Sequence, residues 1–176
     1  VKRGKAVLLL NVGDHQAAWK YIKEKLGPDA AGTVEHFGDM DAVMKFAGDA
    51  LDGELAGMHV FYDSDIFAAV YTTNVLMRAC DVLVTKPGEL SFYPVPKLMI
   101  RHVGGHEVWG AIRAAEVGDS TFECAEREEL DGMLRLFQSD PTVICGMCEH
   151  IKSANRAGIY DGAYRVVRLA CEGKME

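Results

Sequence analysis

Short apolar runs alternate with amphipathic stretches along most of the chain. Lys5–Asn11 reads as a buried strand carrying Ala6, Val7, Leu8, Leu9 and Leu10, and Gly13 with Asp14 breaks it. His15–Leu26 then places Ala18, Tyr21, Ile22 and Leu26 at helical spacing, and Gly27-Pro28 stops that helix. Thr33–Phe37 is a second strand. The stretch from Asp39 sets Met40, Val43, Met44, Ala47 and Leu51 on one helical face. Met58–Tyr62 is a third strand. Asp63 or Ser64 caps the next helix, whose inner face reads as Ile66, Val70, Thr73 and Met77.

Asp81–Thr85 is a fourth strand. The rhythm breaks at Lys86-Pro87-Gly88, and Pro94 and Pro96 follow with no helical period. Lys97–Arg101 resumes as a fifth strand. His106–Val117 is a helix with Val108, Trp109, Ile112 and Ala115 inward, and Ser120–Cys124 is a sixth strand. The remainder is helical: Glu126–Phe137 (Leu130, Met133, Leu134 and Phe137 inward), Thr142–Ala154 and Asp161–Glu172. Strands apolar on both faces and alternating with helices predict an α/β fold. Its centre is a Rossmann-like, doubly wound parallel sheet of about six strands, followed by C-terminal helices. No repeat or linker interrupts 1–176, so the chain reads as one domain.

Composition narrows the function. The chain has 176 residues and a formal net charge of −7, from 19 Lys+Arg against 26 Asp+Glu. That balance argues against nucleic-acid binding by bulk positive charge. Apolar residues make up 49%, enough for a packed core and too many for a disordered chain. No apolar run approaches the ~20 residues that span a bilayer. No signal-peptide pattern is present and the first residue is Val1, which suggests a domain cut from a larger cytoplasmic protein.

Chemistry is expected beyond the carboxyl ends of the strands, where parallel sheets bind ligands. The turns in question are Asn11–Gln16, Gly38-Asp39, Tyr62–Asp65, Thr85–Glu89 and His102–Glu107. Helix starts that follow such turns favour an anion such as phosphate. Asn11-Val-Gly-Asp-His-Gln16 is neither a dinucleotide fingerprint nor a P-loop. Lys86 either neutralises a phosphate or is a surface lysine before a tight turn. Gly104-Gly-His-Glu107 either offers His106 and Glu107 to sugar hydroxyls or is an ordinary acidic helix start. Cys145-Gly-Met-Cys148 reads as two small apolar residues on one helix face rather than half a metal site, because no second pair completes four ligands. No metal and no cofactor are expected.

These turns carry a resemblance. Cys80-Asp-Val-Leu-Val-Thr-Lys-Pro-Gly88 is similar to the "ADLVISKPGG" segment of family 28 GT-B glycosyltransferases. Lys5–Ala18, Val34–Gly38 and Met58–Ala79 match that family's earlier strands and turns, and Gly104-Gly-His-Glu107 stands where it has Pro-Gly-Gln-Glu. The chain thus resembles the C-terminal, nucleotide-sugar-binding domain of the family. That family includes the transferase that adds GlcNAc to the lipid-linked muramyl-pentapeptide and the monogalactosyldiacylglycerol synthases.

The resemblance implies donor binding for an inverting, metal-independent transfer from a UDP-sugar. An N-terminal domain that the chain lacks would hold the acceptor and the general base, so no catalytic residue is assigned and the active site is incomplete here. Contact of the full-length protein with a membrane would belong to that missing half. The nucleotide-sugar site would comprise Asn11, Gly13, His15, Tyr62, Ser64, Lys86, Gly88, Glu89, Gly105, His106 and Glu107. Two features depart from the family pattern: Asp14 in the first turn, and Glu89–Pro96 in place of a helix bearing a ribose-binding glutamate. A nucleotide-sugar epimerase or hydrolase on the same fold, and a non-catalytic binding module, are the alternatives.

Overall fold

The computed structural model describes residues 6–52 and 55–173. Lys5, which the sequence places in the first strand, lies outside them. By contacts the chain divides into two compact units, 1–80 and 81–176.

In the first unit, β1 (Leu8–Asn11), β2 (Val34–Phe37) and β3 (Met58–Tyr62) form a parallel sheet in the order β1-β3-β2. Helices α1 (Gln16–Leu26), α2 (Met40–Asp52) and α3 (Ile66–Met77) connect and follow the strands. The central strand is buried from Met58 to Phe61. Alternation along β3 then supplies two separate cores. Met58 and Val60 pack with Trp19, Ile22 and Leu26 of α1. Phe61, on the opposite face, packs with Val43, Phe46 and Ala47 of α2 and with Val75 and Leu76 of α3. Both faces are therefore covered, as strands apolar on both sides require.

The second core also encloses imidazoles. His59 is buried, and His36 stacks on the Phe61 ring with centroids 4.6 Å apart. The His59 Nε2 lies 3.2 Å from the Ala56 carbonyl, which can only accept, so this nitrogen donates. Neutral His59 then accepts at Nδ1 from His36 Nε2, 3.2 Å away. Burial, and then the neighbouring His59, hold the His36 pKa below its ordinary value.

In the second unit, β4 (Leu83–Thr85) and β5 (Lys97–Met99) are parallel. The expected sixth strand, Ser120–Cys124, appears as two parallel bridges, Lys97 to Ser120 and Ile100 to Cys124. The hydrogen-bonded strands of the described residues thus form sheets of three and two. Helices α4 (Val108–Val117), α5 (Arg127–Ser139), α6 (Thr142–Arg156) and α7 (Gly162–Cys171) complete the unit. Leu98 packs with Phe137 and Met147 from α5 and α6, and Met99 packs with Ala111 and Ala114 from α4. Cys145 and Cys148 both fall in α6 as free thiols. Among the described residues, no helix is long and apolar enough to cross a membrane.

The helix positions match the periodicity, but several inner faces differ. In α3, Ile66 and Val70 are exposed, while Ala69, Thr72, Val75, Leu76 and Met77 are buried. This helix is apolar on nearly every side, so its period cannot select a face. In α4, Trp109 is 74% exposed and Ile112 is exposed, while Gly110, Ala111 and Ala114 are buried. The small residues let the helix backbone approach closely. A Cβ on Gly110 would lie 2.9 Å from the Pro87 carbonyl oxygen. Tyr21, Met44, Leu51 and Leu134 are likewise exposed, and Trp19 and Phe46 are buried in the adjoining cores instead.

Lys97 opens β5 with its side chain fully buried. Its ammonium donates to the carbonyls of Tyr93 (2.7 Å) and Val95 (3.0 Å) and pairs with Asp119 Oδ2 at 2.8 Å. Three acceptors satisfy its three donors. Burial nevertheless pushes its pKa below the ordinary lysine value, against the pull of Asp119. The Tyr160 hydroxyl also donates to Asp119 Oδ2, at 2.8 Å.

Two outcomes follow. The Asp119→Ala variant should lose about 3–5 kcal/mol of stability in urea titrations, because a buried cation is left unpaired. The double variant Lys97→Met with Asp119→Leu should lose less. Separately, the unfolded chain protonates His36 at a higher pH than the folded chain does. The contribution of the neutral imidazole is therefore complete above about pH 6.5 and declines as pH falls below it. Urea midpoints measured from pH 7.5 to 5.5 should decrease, and His36→Gln should flatten that decrease.

Candidate nucleotide-sugar site

The predicted residues come together in two groups, one within each unit. In the first unit, the chain leaves β1 at Asn11 and turns at Gly13, whose φ is 63°. An added Cβ there meets nothing within 4 Å, so backbone conformation, not crowding, demands glycine. The Asn11 side chain shapes the turn. Its Oδ1 accepts from Gly13 N–H at 2.9 Å, and its Nδ2 donates to Thr73 Oγ1 at 2.9 Å and to the Ala69 carbonyl at 3.2 Å. Asn11 is thus engaged within the protein. Asp63 N–H donates to the Gly13 carbonyl, which joins the Tyr62–Ser64 turn to the first turn.

Tyr62 is half-buried, edge-on to Phe37, and Ser64 is exposed. Asp65, rather than Asp63 or Ser64, caps α3 by accepting from Phe67 N–H. His15 precedes α1, is exposed, and lies 3.4 Å from the Asp14 carboxylate. It does not cap α1 with its own side chain.

The second group lies at the carboxyl edge of β4 and β5. Lys86 follows β4 directly, and its ammonium pairs with Glu107 Oε1. Glu107 is buried. Its Oε2 accepts the Val103 N–H at 2.8 Å and the Gly104 N–H at 3.2 Å. The Lys86 ammonium, and then these two backbone N–H groups, lower the Glu107 pKa to about 2. The carboxylate therefore clamps the loop after β5 to the turn after β4. Expected to hold sugar hydroxyls, Glu107 instead spends both oxygens on the protein.

Gly88 borders this pair. A Cβ on it would stand 3.5 Å from Lys86 Nζ and 3.7 Å from Glu107 Oε1, in ordinary contact. Glu89 is exposed and opens the short 3₁₀ turn Glu89–Phe92. Gly110 of α4 packs beneath that turn, against Pro87 and Ser91. Gly105 and His106 are exposed, and the His106 ring lies over Gly104.

One pair at this edge escaped the pattern of the sequence. His102 follows β5, and its Nδ1 lies 2.9 Å from both oxygens of Glu123. Twenty-one residues separate them, and the parallel bridges of Lys97 to Ser120 and Ile100 to Cys124 bring the two segments side by side. The one available signal was that both residues sit at the ends of neighbouring strands.

Residues 1–171 match the family described as "Domain of unknown function (DUF6938)". The chain belongs to the DUF6938 family. No curated protein matches the DUF6938 chain. Among its described residues no group of three or more His, Cys, Asp or Glu is arranged to hold a metal ion.

The clamp gives a direct expectation. Glu107 should remain ionised down to pH about 2, read from its carboxyl ¹³C shift. Its contribution to stability is complete above the ordinary value of 4.5 and lost as pH falls toward 2. Lys86→Met should raise the Glu107 pKa only part of the way to 4.5, because the two backbone donors remain.

Proposed function

We propose that the chain is the donor-binding domain of a UDP-sugar-dependent, inverting glycosyltransferase of the GT-B, family 28 type. In this reading it is a cytoplasmic domain whose acceptor site is built by a preceding N-terminal domain. The observation that carries the reading is the Lys86–Glu107 clamp at the carboxyl edge of a parallel sheet. It holds an ammonium group next to Gly88 and the exposed Gly105-His106 turn, within the Lys-Pro-Gly segment that carries the family resemblance.

A diphosphate is the natural ligand for that arrangement. Lys86 is 47% exposed, so its ammonium can donate to a phosphate oxygen while Glu107 holds its position. Gly88 adds no side chain beside it. His106 is free to meet the sugar. Departure of UDP would be stabilised by the Lys86 ammonium.

A nucleotide-sugar hydrolase on the same scaffold is the second reading. The His102–Glu123 pair favours it, because such chemistry needs an imidazole near the sugar.

Isothermal calorimetry with UDP and UDP-GlcNAc at millimolar concentration tests the proposal. Binding of both is expected, and Lys86→Met should weaken it about tenfold through loss of one charge-assisted hydrogen bond. No heat with either ligand sinks the nucleotide-sugar reading.

A further inference from the structure

We infer that His102 is a catalytic base within this chain, oriented by Glu123, and that it activates a hydroxyl nucleophile for attack on the donor sugar. The inference rests on the nucleotide-sugar reading and departs from it in one respect. It puts a proton acceptor in this chain rather than in a preceding domain.

The geometry carries the assignment. Both carboxylate oxygens of Glu123 stand 2.9 Å from His102 Nδ1. An ionised carboxylate only accepts, so Nδ1 carries the proton. In the neutral ring Nε2 then keeps its lone pair, and among the described residues no protein group bonds to it. A carboxylate that fixes the tautomer of an imidazole with a free Nε2 is the arrangement that general-base catalysis requires.

The position suits the task. His102 follows β5 and precedes Val103 and Gly104, whose N–H groups Glu107 accepts, so the same loop bears both the base and the clamped turn. Glu123 also lines a groove of about 340 Å³ with Val108, Ile112 and Phe122. His102 is 35% exposed, enough for a substrate to reach its ring.

The step balances without a further reactant. The oxygen of water or an alcohol forms a bond to the anomeric carbon, and the bond from that carbon to the diphosphate oxygen breaks. The electron pair leaves with UDP, and the hydroxyl proton moves to His102 Nε2. Glu123 is a positioning residue that stabilises the resulting imidazolium.

The test uses the full chain with UDP-GlcNAc, water as the nucleophile, calorimetry for binding and ³¹P NMR for release of UDP. Slow hydrolysis is expected from the wild-type chain. His102→Gln should lower the rate about a hundredfold or more, with binding unchanged within about twofold. Glu123→Ala should reduce the rate less. In ¹⁵N spectra of the imidazoles it should also shift His102 from the Nδ1–H toward the Nε2–H tautomer while the amide spectrum keeps its folded dispersion. Binding without UDP release, or release from His102→Gln at the wild-type rate, overturns the base assignment and leaves the nucleotide-sugar reading standing. Absence of binding overturns both.

Discussion

The second unit is organised around one buried charge. Lys97 sits at the start of β5 with no exposure, and a buried ammonium is tolerable only when every donor is met. Tyr93 and Val95 supply carbonyls from the proline-rich segment before β5, and Asp119 supplies a carboxylate from the turn after α4. Tyr160 then reaches Asp119 from the turn after α6. The adjoining proline-rich segment and two segments distant in sequence are tied to the first residue of one strand. Each acceptor is specific in direction, whereas apolar contacts tolerate sliding. The charge thus sets the register of β5 relative to its surroundings, and with it the position of the loop that leaves the strand.

That loop is where chemistry gathers. A parallel arrangement puts the carboxyl ends of β4, β5 and the 120–124 segment on one edge. Lys86, His102 and Glu123 follow or close those segments, and Glu107 reaches back from the start of α4. The two ion pairs differ in character. Lys86–Glu107 is anchored by backbone N–H groups and holds the loop in shape, while His102–Glu123 leaves one ring nitrogen unengaged. The close approach of Gly110 to Pro87 locks the turn after β4 against α4, so Lys86 rests on packed rather than free backbone.

Much of this was legible in advance because it is local. Apolar runs mark β1, β3 and β4, and helical spacing marks α1, α2 and α5–α7, with ends within a few residues of those observed. Gly13 announces its turn, since its positive φ suits glycine alone. The turns at Lys86 and Glu107 were also picked out, because parallel sheets bind ligands beyond their carboxyl ends. Their pairing was not, since twenty-one residues separate them. Trp109 and Ile112 misled for a related reason. Large apolar residues suggest an inward face, but α4 packs through Gly110, Ala111 and Ala114, and closeness of backbone outweighed side-chain size.

The sequence by itself determined most of the strands and helices, with 120–124 the exception, where glycine turns the chain, and which turns hold polar residues. Those properties depend on neighbours within a few positions. Only the tertiary structure decided that Lys97 is buried, that Glu107 serves the protein before any ligand, and that His102 meets Glu123. Burial of a charge and the identity of its partner depend on which distant segments pack together, and periodicity along one segment carries no record of that.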